Sequence, residues 1–125
     1  MKKTTTFNEV GYIFNCLSQE WAGFVKEIHL SNKDLYNLIA LKKIIEEKHN
    51  IIQETVATIM RSHGGEENER GILQVSEDKI DKVNVELTKL SKEEIEIEFT
   101  PVRLREQDSI PTMLMDILYD FIVIE

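Results

Sequence analysis

Leu30 to Arg61 reads LSNKDLYNLIALKKIIEEKHNIIQETVATIMR, and the fold turns on whether this is one helix or several elements. It contains no glycine or proline, so nothing interrupts a backbone ladder before Gly64. Ser31 stands where an N-cap belongs, able to accept from first-turn amides, and Asp34 places a negative charge near the positive helix end. One helix is expected. At about 1.5 Å per residue it reaches roughly 45 Å, longer than a compact domain of this size, so part of it should project. Leu35, Leu38, Ile45, Ile52, Val56 and Ile59 form one apolar set, and Ile39, Leu41, Ile44, Ile51 and Met60 a second. Together they make a wide stripe, interrupted by Lys42, Lys43, Glu46, Glu47, Lys48 and His49. It reads either as a core helix with a solvated back or as one whose surplus, Ile39, Ile44, Ile51 and Met60, is left to meet a second chain.

Around this helix, 125 residues with 42% hydrophobic content suffice for one domain and one core. A formal charge of −8 argues against a phosphate-backbone binder, so no direct nucleic-acid contact is expected. The single Cys16 excludes an internal disulfide framework and fits a reducing compartment. MKKTTTFNEV lacks the apolar core of a signal peptide, and no stretch approaches a membrane span.

Before the long helix, residues 1 to 6 read as polar and loose. Val10, Ile13, Phe14 and Leu17 predict a short amphipathic helix, and residues 1–23 read as an appendage to a core at 24–125. Phe24, Ile28 and Leu30 share one parity, which predicts a half-buried strand over Phe24–Leu30, with Trp21 anchoring helix to strand. His29 falls on that strand's outer face.

After it, SHGGEENERG (62–71) marks a turn or flexible tip, followed by a brief apolar segment at Ile72, Leu73 and Val75. Ser76 can cap a second helix whose Ile80, Val83, Leu87 and Leu90 make a narrow seam, so Leu35–Met60 and Ile80–Leu90 form an antiparallel hairpin. EEIEIEF (93–99) is the clearest strand, with Ile95, Ile97 and Phe99 alternating against Glu94, Glu96 and Glu98. Pro101 and the parity switch to Val102 and Leu104 suggest a bulge or edge there. This strand is expected to pair with Phe24–Leu30. Ser109 and Pro111 open a C-terminal helix carrying Met113, Leu114, Ile117, Leu118 and Phe121, and Ile122–Ile124 end the chain as helix or strand. The expected class is α+β: a long antiparallel helical hairpin packed on a small antiparallel sheet, with short N- and C-terminal helices.

Several features of the second half carry a resemblance: Gly71, Ile72 and Leu73 before NVELTKL (84–90), then EIEIEF, VRL and a short helix ending FIVIE. With EIHLSNKDLYNL before them, they resemble a group of small, mostly uncharacterised proteins of tailed bacteriophages and prophages. The resemblance spans roughly residues 27–125. It implies phage origin and a strand-plus-hairpin fold, and no catalytic residue.

The search for chemistry finds little. Glu46-x-x-His49 has the spacing of di-iron bundles, but those need two such motifs and two further glutamates, and only one copy exists. His63 with Glu66 and Glu67 sits on the tip, a weak arrangement for a metal. Gly64-Gly65 lacks the lysine and hydroxyl of a phosphate loop, and Cys16 has no evident base. No catalytic residue, metal or cofactor is assigned. Glu94, Glu96 and Glu98 repeat at about 6.6 Å along a strand, either a solvated face or an acidic comb for a basic partner, with Lys92, Arg103 and Arg105 near enough in sequence to offset it.

The expected function is a non-enzymatic phage accessory or structural protein. It would act by protein–protein contact with itself, or with another phage or host protein, and self-associate through the hairpin in the host cytoplasm or the virion. The alternative is an inhibitor of a host defence system. That form would block a host protein with Glu94, Glu96 and Glu98, or sequester a nucleotide signal through Arg103 and Arg105.

Overall fold

The structure, a computed structural model, describes residues 1–125. Its spine is the long helix. α2 runs Asn32–Ser62, and the Ser31 side chain accepts from the Asp34 amide at 3.3 Å, as an N-cap should. Leu38, Leu41, Ile45 and Ile52 are buried on one face.

α1 covers that face. It spans Phe7–Val25, capped by Thr6 accepting from the Glu9 amide at 3.2 Å, and it buries Val10, Ile13, Leu17 and Phe24. Phe24 thus belongs to a helix, and the strand expected over Phe24–Leu30 does not form. Val10, Ile13, Leu17, Trp21 and Phe24 step by three or four residues, and this longer helical period overrides a parity match in seven residues. One β-bridge survives at His29, which exchanges backbone hydrogen bonds with Ser109, both at 2.9 Å. Residues 1–23 are therefore no appendage, because Val10, Ile13 and Leu17 share a single core with α2. Trp21 lies half-buried against it, with the Lys42 ammonium 5.2 Å from its ring centroid.

Residues 1–6, expected to be loose, form β1 (Lys2–Thr6). It pairs antiparallel with β4, Glu94–Glu98, the strand legible in the sequence, from Lys2 opposite Glu98 to Thr6 opposite Glu94. Met1 extends the ladder: its ammonium donates to the Phe99 carbonyl at 3.0 Å, and its carbonyl accepts from the Phe99 amide at 2.9 Å. Three consecutive β-branched threonines fit a pleated surface although they are polar. The partner of β4 is thus the N-terminus.

α2 ends by design of its sequence. Gly64 donates to the Arg61 carbonyl at 3.0 Å and Gly65 to the Met60 carbonyl at 2.9 Å, with Gly64 at φ 80°, a Schellman ending. Beyond it Glu66–Glu67 (β2) and Leu73–Gln74 (β3) pair antiparallel, and Asn68 accepts from the Arg70 and Ile72 amides across the turn. The tip is an ordered hairpin. α3 (Glu77–Ser91) returns antiparallel to α2: Met60 shares a groove with Ile80 and Val83, while Ile52 shares one with Leu90. The α2–α3 hairpin forms as expected, but α1 packs along α2 more extensively than α3 does.

Thr100 and Pro101 separate β4 from β5 (Val102–Leu104), which enters a different sheet, so the parity switch marks a strand end and not a bulge. α4 (Thr112–Ile117) and a 3-10 turn at Tyr119–Phe121 cross to β6 (Ile122–Ile124), parallel to β5. Phe121 packs edge-on to Phe99, centroids 4.8 Å apart. The whole is α+β, a long helix pair with small sheets at its margins. No helix is long and apolar enough to cross a membrane.

Candidate functional site

Four places hold the residues that could act, and the acidic strand is the first. Glu94, Glu96 and Glu98 are all exposed on one face of β4, opposite Thr6, Thr4 and Lys2. The cation beside them is Lys2, whose ammonium lies 3.3 Å from Glu96. Arg103 and Arg105, expected nearby, are elsewhere. On the neighbouring edge Lys3 pairs with Asp120 and sits 5.4 Å from the Phe121 ring centroid.

The arginines belong to a clamp around Asp34, which is 3% exposed at the start of α2. Its carboxylate accepts from Ser31 Oγ at 2.7 Å, the Arg103 amide at 3.2 Å and Arg105 Nη1 at 3.1 Å. Burial works to raise its pKa, but the Ser31 hydroxyl, the Arg103 amide and the Arg105 guanidinium together hold it below the ordinary carboxylate value. Arg103 Nη1 reaches Glu125 at 2.7 Å, and Arg105 Nε reaches it at 3.6 Å. These contacts tie the N-terminus of α2 to β5 and β6. The sequence showed Asp34 only as a helix-end charge; a partner some seventy residues away leaves no local signal.

The third place, absent from the sequence reading, is a cleft of about 450 Å³ between α1, α2 and α3, a size common for ligand pockets. Asn8, Tyr12, Asn15, Gln53 and Ser91 line it beside Phe7, Ile52, Val56, Leu87 and Leu90, and no lining residue is charged. His49 forms part of its wall, stacked on Phe14 at 3.9 Å between centroids, and burial lowers its pKa. Its Nδ1 is buried and makes no hydrogen bond within the chain. Tyr12 is pushed up by the Cys16 thiol one turn along. Glu46 faces away and meets Lys42 at 4.0 Å, so the Glu46–His49 spacing assembles no joint site. His63 Nε2 lies 3.2 Å from Glu86 of α3 and braces the hairpin. No three His, Cys, Asp or Glu side chains cluster with metal-holding geometry.

The fourth is the back of α2. Ile39 is 39% exposed and Ile51 50%, on the side away from the core, with Tyr36 exposed at 73%. Ile44 and Met60, grouped with them in the sequence, are not on that side. Ile44 packs half-buried against the core, and Met60 lines the groove under α3. Of the four self-association candidates, two remain open.

Comparison with protein-family models, with curated proteins and with solved structures finds no match to this chain.

Proposed function

We propose that this chain is a phage-encoded, non-enzymatic accessory or structural protein. It works by protein–protein contact and self-associates along α2, in the host cytoplasm or the virion. The observation that carries the contact reading is the back of α2: one face is buried by α1, β5 and α3, and the opposite face is exposed at Tyr36, Ile39, Lys43, Glu47, Ile51 and Glu54. The phage attribution rests on the resemblance of residues 27–125. The non-enzymatic reading draws support from the cleft's lining, which sets no carboxylate, lysine or cysteine beside His49 to form an acid–base or nucleophile–base pair. Against the nucleotide-sequestering alternative, Arg103 and Arg105 already pair with Asp34 and Glu125. The acidic-face alternative retains the exposed Glu94, Glu96 and Glu98.

Light scattering across a concentration series, at low and high salt, tests self-association. A mass that rises above 14.6 kDa with concentration is expected. A clean monomer at high micromolar concentration overturns it.

A further inference from the structure

The back of α2 is patterned. From Tyr36 to Arg61 one line of that back follows the steps of four and three common to every helix face, and what marks it is its residues: half-buried Ala40 and Ala57, and exposed Lys43 and Glu54, stand symmetrically about the Lys48–His49 midpoint. We propose that two copies of this chain pair antiparallel through this back, about a two-fold axis between Lys48 and His49, held in register by two Lys43–Glu54 ion pairs. The inference rests on the self-association reading above and names its geometry.

That axis sets Tyr36 against the partner's Arg61, Ala40 against the partner's Ala57, Lys43 against the partner's Glu54, and Glu47 against the partner's Asn50. Each layer is then compatible. The alanines let the backbones approach, and the Arg61 guanidinium, 58% exposed although it reaches Glu67 at 3.7 Å, can lie on the open Tyr36 ring. Parallel pairing would instead put Lys43 on Lys43, Glu47 on Glu47 and Glu54 on Glu54, like on like. The antiparallel arrangement also opposes the helix dipoles favourably. Within one chain Lys43, Glu47 and Glu54 make no ion pair, whereas Lys42, off this seam, meets Glu46 at 4.0 Å. Of these unmatched charges, the second copy matches Lys43 and Glu54 and sets Glu47 against a neutral amide.

Sedimentation velocity on the full chain tests this with K43E, E54K and the K43E/E54K double variant, all at exposed positions, with circular dichroism to verify the fold. Each single reversal places like charges opposite each other twice and should weaken the dimer at least about tenfold, while the double should restore it. A dimer indifferent to K43E, or not restored by the double, overturns the register and leaves self-association standing. A wild-type chain that stays monomeric overturns both.

Discussion

Asp34→Ala should be among the costliest single substitutions, because it removes the acceptor that joins α2 to β5. The carboxylate is 3% exposed and receives the Ser31 hydroxyl, the Arg103 amide and the Arg105 guanidinium. Removing one partner of a buried pair costs about 3–5 kcal/mol. The Arg105 side chain is 42% exposed and can rehydrate, which places the loss at the low end, about 3 kcal/mol. That is roughly a hundredfold in the folding equilibrium and a fall in Tm of about 10 °C for a chain of this size. Urea unfolding followed by circular dichroism measures it. Arg105→Ala leaves the buried carboxylate with the Ser31 hydroxyl and the Arg103 amide but without its cation, and should cost about 1.5–3 kcal/mol. The pH dependence has a definite sign. The folded carboxyl titrates below the unfolded one, so its stabilisation is complete above about pH 4–5 and is lost as pH falls through the lowered folded value. The gap between wild type and Asp34→Asn should be constant near neutrality and close in acid. A loss under about 1 kcal/mol for Asp34→Ala, or a gap that widens in acid, would refute the clamp.

Further expectations concern backbone and core. Gly64→Ala should cost about 1 kcal/mol, since Gly64 sits at φ 80°. Gly65→Ala should cost at least as much, because its Cβ would stand 2.7 Å from the Met60 carbonyl oxygen; Gly23→Ala, in a helix with open space around it, should raise the urea midpoint. His49 has a folded pKa depressed by burial, so the unfolded chain takes up its proton first and stability should fall as pH drops from about 7 to 5. His49→Gln should flatten that part of the curve, read from Tm across pH.

Periodicity made α2, α3 and β4 legible, because each repeats one pattern over enough residues to exclude the alternative. Ser31 as N-cap and the paired glycines as a helix end were equally local. What escaped was pairing at a distance. KKTTT has no apolar alternation, since β1 gives the core only Thr5 while its partner supplies Ile95 and Ile97. Nothing in residues 2–6 announces a partner 88 to 96 residues later. Phe24–Leu30 failed for the opposite reason: a helix end and a short strand present the same parity over a few residues. The cleft was illegible because Asn8, Asn15, His49, Gln53 and Ser91 come from three helices, and only their packing brings the side chains together.

The wide apolar stripe of α2 has an ordinary explanation that changes the kind of interface to expect. A helix with one neighbour needs a narrow stripe, but α2 has α1, β5 and α3 around it, and these cover Leu38, Leu41, Ile45 and Ile52 and flank Ile44 and Val56. Most of the apparent surplus is spent on the protein's own core. The open back is mainly polar, with Tyr36, Ile39 and Ile51 set among Lys43, Glu46, Glu47, Asn50 and Glu54. Association through such a face draws register from charge, and exposed ion pairs give only about 0.2–1 kcal/mol each. It should therefore be modest, concentration-dependent and weakened by salt, which screens exposed charges beyond about 10 Å at 0.1 M. An apolar seam built from Ile39, Ile44, Ile51 and Met60 together would instead resist salt. Burial of Ile44 and Met60 within the monomer is what selects between these two behaviours.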